Sequence, residues 1–279
     1  MNKRTVIEPG GKSKNYWKDL WDYRSLFYFL AWRDVLVRYK QTAIGIAWSV
    51  IRPLLTILIM TGIGWLLKAP IPNGIPRFLY VCAATLPWQF FANIFGEASN
   101  SLVTNSNLLT KVYFPRLIIP LSTVIVCLID FFISCGILIV AMVVFRYTPD
   151  WKIILLPLFM ILTLLTAGGV GLLIASLNVK YRDFKYVIPF ILQFGVYVSP
   201  IAYSSDSIYN STSIPQIGKL LYSANPMVGV IDGFRWAILG GNINIYMPGF
   251  LVSIGISVFF LILGIWNFRK TEHLFADII

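Results

Sequence analysis

Asp130 is a carboxyl placed near the middle of the apolar run 117–145. A charge there is costly to desolvate, so the group faces a wet interior, joins two helices through a hydrogen bond, or takes up a proton. No basic partner is expected at its depth. Two short segments set aromatic rings beside cations, a combination suited to docking another protein. They are Lys111-Val112-Tyr113-Phe114-Pro115-Arg116, with both rings expected at the surface, and Tyr181-Arg182-Asp183-Phe184. A plain connector is the simpler reading of each. Between 17 and 40, Tyr28, Trp32, Val35, Leu36 and Tyr39 recur at helical spacing, with Arg33, Asp34, Arg38 and Lys40 mostly off that face. Such a helix suits a membrane headgroup layer, as an anchor, a docking surface or both.

Bond-making chemistry has few candidates. The one histidine, His273, has no partners from which a nucleophilic triad or a zinc centre could be built. No Asp-x-Asp pair is present to hold a metal and a sugar nucleotide. Gly11-Lys12-Ser13 resembles the end of a phosphate-binding loop, but Val6 stands where the first glycine is needed. Cys82, Cys127 and Cys135 fall within apolar runs, at no metal-ligand spacing, and are small packing residues. No catalytic residue, metal or nucleotide site is assigned to this chain.

The elements that position these residues are six long apolar stretches, near 48–67, 78–95, 117–145, 153–177, 187–203 and 248–268. A helix rises about 1.5 Å per residue, so about 20 apolar residues cross a hydrocarbon core of about 30 Å. With 57% hydrophobic and 13% charged residues, the chain carries more apolar surface than one soluble core could hide. Of the 23 Lys and Arg, only Lys68, Arg77, Arg146, Lys152, Lys219 and Arg235 fall on the far side of these stretches. That asymmetry predicts a cytoplasmic N-terminus. The net charge of +11 is accounted for by anionic inner-leaflet lipid, and a nucleic-acid partner is not expected. The first long apolar run starts too late for a cleavable signal peptide.

Finer features follow. Ala167, Gly171 and Ala175 make a small-residue face for close helix contact. The fifth stretch is short and is broken by Pro189 and Ser199-Pro200. Asn225-Pro226 opens an apolar segment too short to cross, with a cap residue followed by Pro at the first helical position, so a re-entrant helix is expected. The fold class is therefore an all-α integral membrane protein. It has six transmembrane helices, an N-terminal amphipathic interface helix, re-entrant helices between spans 5 and 6, and both termini cytoplasmic. Residues 1–16 read as a flexible basic tail, 17–42 as the interface helix and 43–279 as the transmembrane domain, with 204–247 on the outer face.

The chain resembles the membrane subunit of type-2 ABC exporters for bacterial polysaccharides, the O-antigen, capsule and teichoic acid permeases. The resemblance covers nearly the whole length. It rests on Trp32-Arg33-Asp34 with Arg38-Tyr39-Lys40-Gln41-Thr42, Gly45 to Trp48 and Pro53, then Phe114-Pro115-Arg116. Tyr181-Arg182-Asp183 ahead of Ser199-Pro200-Ile201, Asn225-Pro226 ahead of Arg235, and an acidic-aromatic C-terminus complete it.

That resemblance implies a homodimer in the bacterial inner membrane, joined 2:2 with a separate ATPase that carries ATP and Mg; this chain itself has no cofactor. Trp32, Arg33, Asp34, Arg38 and Tyr39 would belong to the helix beside the ATPase. Lys111, Tyr113, Phe114, Pro115 and Arg116, with Tyr181, Arg182, Asp183 and Phe184, would be coupling segments. Ser199, Pro200, Asn225, Pro226 and Arg235 would build an outer gate. The substrate would be a lipid-linked polysaccharide, O-antigen foremost, with membrane lipids around the chain. Aromatic rings stack on the apolar faces of sugars, so Phe190, Phe194 and Tyr197 on one face of the fifth span, together with Asp130, are channel candidates. Capsule or teichoic acid export is the alternative within the class. A membrane enzyme acting on polyprenyl-linked sugars and a scaffold for a synthase are the alternatives outside it.

Overall fold

The computed structural model describes residues 16–40, 47–181, 183–240 and 243–275. Among them every regular element is helical. The helices are α1 Tyr16–Asp22, α2 Arg24–Lys40, α3 Ala47–Leu66, α4 Arg77–Thr104, α5 Ser106–Lys111 and α6 Ile118–Val144. They continue with α7 Leu156–Lys180, α8 Phe184–Val198, α9 Asp206–Tyr209, α10 Gln216–Ser223, α11 Pro226–Leu239 and α12 Met247–Thr271. A 3-10 turn, Trp151–Leu155, leads into α7 and another, Glu272–Leu274, follows α12.

Among the described residues, five helices are long and apolar enough to cross a membrane: α3, α4, α6, α12 and α7 with its 3-10 lead. In hydrocarbon only a helix satisfies its own backbone within one segment, which is why these runs coil throughout. The fifth expected crossing differs. Instead of 187–203, α8 starts at Phe184 and stops at Val198, about 22 Å of helix at 1.5 Å per residue. Ser199, which precedes Pro200, is extended at φ −86° and ψ 146°, as the proline ring dictates for its predecessor.

The bundle is built around α4, with 18 of its 28 residues buried. It packs against α6, α7, α11 and α3. The expected small-residue face is present: Ala167 and Ala175 are fully buried, and a Cβ on Gly171 would stand 3.0 Å from the Ala98 Cβ on α4. A second close approach was not anticipated. A Cβ on Gly169 would lie 2.5 Å from the Leu261 backbone nitrogen of α12, and Gly264 faces the Gly169 backbone in return. Gly169→Ala should therefore force α7 and α12 apart, at a cost of about 1–3 kcal/mol. The measure is the melting temperature of the purified chain in detergent; an unchanged value would mean that the helices do not touch there.

A second apolar cluster lies where the N-terminal helices, the 105–117 turn and the ends of α7 and α12 meet, joining Leu30, Leu109, Phe114, Leu117, Phe268 and Phe275. The expected interface helix is two helices, broken at Tyr23, with positions 41 and 42 outside the described residues. Its packed face also differs. Leu30 and Ala31 are buried, with Leu26 and Phe27 partly so, whereas Tyr28, Trp32 and Leu36 are exposed. The reason is electrostatic: Arg33 and Arg38 find partners on the bundle, Asp34 pairs with Arg33 beside it, and the polar side turns inward.

Candidate functional site

The α2 helix is fastened to the bundle by charge. Arg38 Nη1 donates to Glu97 Oε1 of α4 at 3.1 Å, and its Nη2 lies 2.9 Å from Asp130 Oδ2 of α6. The other carboxylate oxygen, Oδ1, accepts from the Tyr39 hydroxyl and from Ser49 Oγ of α3, each at 2.7 Å. One buried carboxylate thus draws together α2, α3 and α6, while Arg38 adds α4. Burial, followed by the bond to Asp130, pushes the Tyr39 hydroxyl up to about 12, so it remains a donor at any working pH. One turn back along α2, Arg33 pairs with Asp34 at 2.7 Å and donates to Asn105 Oδ1 at 2.9 Å. A cavity of about 500 Å³ opens among Arg33, Asp34, Arg38, Glu97, Asn105 and Thr123.

This geometry corrects the reading of Asp130. It has a basic partner, Arg38, and is buried where α2, α3 and α6 meet, joined to the first two by hydrogen bonds. Arg38 bridges Glu97 and Asp130, so the two carboxylates stand at one level, just past the end of the apolar run 78–95. The partner was invisible in hydropathy because α2 climbs beside α4 and α6.

The two candidate docking segments differ in exposure. Lys111 and Tyr113 are exposed, but Phe114 and Pro115 are buried, against the expectation of two surface rings, because Phe114 belongs to the second apolar cluster. Arg116 turns toward the residues after α12: its backbone N donates to Glu272 Oε1 at 2.8 Å. Tyr181 and Asp183 are exposed and Phe184 is half-buried, with the Lys180 ammonium 5.0 Å from the Tyr181 ring. Arg182 lies outside the described residues. Trp32 is exposed and Arg33 half-buried.

At the far end of the bundle, the structure brings Ser199, Pro200, Asn225 and Arg235 together. Asn225 Oδ1 caps α11 by accepting from Met227 N at 3.1 Å, Pro226 takes the first helical position, and Asn225 Nδ2 donates to Ser199 Oγ at 3.1 Å. Arg235 is 0% exposed. Its guanidinium donates to the carbonyls of Ile201 at 2.9 Å, Tyr203 at 3.1 Å and Tyr80 at 3.3 Å, and lies 3.7 Å over the Tyr80 ring. The chain break after α8 is therefore tied onto α11. Tyr80 and Asp232, which accepts from Ser205 Oγ at 2.5 Å, belong to this cluster and carried no signal in the sequence beyond being polar groups in apolar runs.

Phe190, Phe194 and Tyr197 form an exposed face of α8, with the two phenyl rings 4.4 Å apart. Tyr197 borders a groove of about 340 Å³ with Thr56, Ile59, Met60, Trp88 and Gln89.

The family described as ABC-2 type transporter matches residues 25–239. The chain is 29% identical over 252 residues to the "O-antigen export system permease protein RfbA" of Klebsiella pneumoniae, covering 88% of this chain and 92% of the relative. A protein of the same name from Myxococcus xanthus is 26% identical over 219 residues, covering 78% and 82%. The "Polysialic acid transport protein KpsM" of Escherichia coli is 24% identical over 219 residues, covering 76% and 80%.

Proposed function

The chain belongs to the ABC-2 type transporter family, and from that premise we propose that it is the membrane subunit of an ATP-driven exporter of lipid-linked polysaccharide, with O-antigen as cargo, in the bacterial inner membrane. Two copies pair with two ATPase chains, which bind ATP and Mg. The observation that carries this reading is the two-sidedness of α2. One face is tied by Arg38 to α4 and α6, while the other presents Tyr28, Trp32 and Leu36 outward. A helix held in this way passes a push from a partner to the bundle. Tyr113 and Tyr181 are exposed rings in the two candidate docking segments, of the kind that anchor interfaces.

In this reading α8 makes the sixth crossing beside the five long helices, and α9 to α11 re-enter from the outer face. Support for re-entry is that α10 and α11 keep both their ends near the same end of the bundle: Ser223 O accepts from Ser253 Oγ near the start of α12, and Leu239 O accepts from the Tyr147 hydroxyl just after α6. Both termini are then cytoplasmic, in keeping with the basic residues gathered there. Ser199, Asn225 and Arg235 hold the outer gate, and the aromatic face of α8 meets the sugar chain. O-antigen ranks above capsule because the similarity to the O-antigen permeases is higher and covers more of the chain.

The test is co-expression with a candidate ATPase subunit and purification through this chain. A 2:2 complex whose ATP turnover depends on the permease, and glycan transfer in inverted vesicles, are the expected results. Absence of any ATPase complex would remove the exporter reading. The pair Tyr28→Ala and Trp32→Ala should lower ATPase recovery about tenfold or more, as loss of interface anchors does, and leave melting unchanged because both rings are exposed. Undiminished recovery would move the docking face elsewhere.

A further inference from the structure

We propose that the turn Glu272–Leu274 is a clasp: Glu272 is a positioning residue that binds the N-terminal helix to the 111–116 loop, so that both move as one body when the ATPase closes. The coupling role rests on the exporter reading above; the clasp itself does not. Glu272 Oε1 accepts from the Arg116 backbone N at 2.8 Å and from the Tyr16 hydroxyl at 3.2 Å. The Arg116 guanidinium donates back to the Glu272 carbonyl and lies 5.9 Å over the Phe275 ring. Arg269 covers the Tyr16 ring at 4.7 Å, and Phe275 is buried edge-on against Phe268 at 5.4 Å. Three segments distant in sequence therefore converge on a single carboxylate.

A plain core would need only the apolar residues of this cluster. A half-buried carboxylate carries a desolvation cost, visible in its carboxyl being pushed upward by burial, against the pull of Arg116, Tyr16 and Arg269. That cost is offset here by bonds to the backbone of Arg116, immediately before α6. The same helix carries Asp130, about 18 Å further on at 1.5 Å per residue. The α1–α2 unit is thus tied to α6 twice, by Tyr16–Glu272–Arg116 at its start and by Arg38–Asp130 at its end. Two separated ties transmit a rotation that one tie would let slip.

The experiment uses the full chain in lipid nanodiscs, with Cys82, Cys127 and Cys135 replaced by Ala and nitroxide labels at Lys18 and Val112, both exposed. Pulsed dipolar spectroscopy should give one narrow distance distribution for the parent chain. Glu272→Ala should broaden it, and Glu272→Gln, which keeps an acceptor for Arg116 and Tyr16, should restore it. In the complex with its ATPase, Glu272→Ala should raise ATP hydrolysed per glycan exported about tenfold, the scale of one lost charge-assisted hydrogen bond, with Gln again rescuing. An unbroadened distribution in Glu272→Ala, failure of Gln to rescue, or broadening without loss of coupling would each overturn the proposal. Should Glu272→Ala not accumulate, Tyr16→Phe, which deletes one hydroxyl, serves the same comparison. Failure of the parent complex to export would sink the exporter reading and the coupling role with it. It is told apart from failure of the clasp by the label distances, which need no ATPase.

Discussion

Arg38→Ala is expected to destabilise the chain by about 3 kcal/mol, the lower end of what uncovering a buried charge costs. The low end applies because Arg38 keeps 28% of its side chain exposed, so water enters part of the gap. Among the described residues, Asp130, at 7% exposure, would be left with two hydroxyl donors and no cation. The bond to Glu97 adds little, since that carboxylate is about half exposed and exposed pairs are worth about 0–1 kcal/mol. The readout is thermal unfolding of the purified chain. A companion double variant, Arg38→Met with Asp130→Leu, should recover most of the stability, because well-packed apolar replacements of a buried pair are often neutral. It should not recover export in the ATPase complex, since the charge tie between α2 and α6 is gone. Full export by the double variant would show that the joint serves folding alone.

Arg235→Lys should be at least as damaging, despite conserving charge. The guanidinium serves three carbonyls on two separate segments and stacks on Tyr80. A lysine ammonium is a point donor on a flexible stem and cannot reproduce that planar fork. Each buried carbonyl left without a partner costs about 1–3 kcal/mol, so a loss of about 3 kcal/mol or more is expected. Melting of the purified chain reports it, and protease cleavage within 204–223 should appear first, since Arg235 anchors the break that begins that region. Wild-type melting by Arg235→Lys would show that the fork is dispensable.

The long crossings were legible because length and hydropathy alone demand them. The Ala167–Gly171–Ala175 face and the Asn225-Pro226 start were legible because each is a local rule of spacing or capping. What stayed hidden depends on register between helices. Asp130 has no visible partner when depth is taken along each apolar run, because its partner sits on a helix outside all of them. The packed face of α2 escapes for a related reason: amphipathic counting treats Arg33, Asp34 and Arg38 as solvent-facing, whereas Asn105 partners Arg33, Glu97 and Asp130 partner Arg38, and Asp34 pairs with Arg33. Phe114 was misplaced because nothing in its loop announces the Leu30–Phe268 cluster that receives it. The Gly169–Gly264 contact requires knowing that α7 and α12 are neighbours.

That contact has a consequence for how compliance is distributed through the molecule. Where Gly169 meets Gly264 there is no side-chain layer to shear, and the Thr166–Ser257 and Ser176–Asn267 hydrogen bonds pin the pair on either side, so α7 and α12 are expected to move together. Opposite in kind is α8, which buries only Ile188 of its 15 residues, so little packing within the chain opposes its displacement. Strain that reaches both elements is therefore expected to displace α8 before it parts α7 from α12.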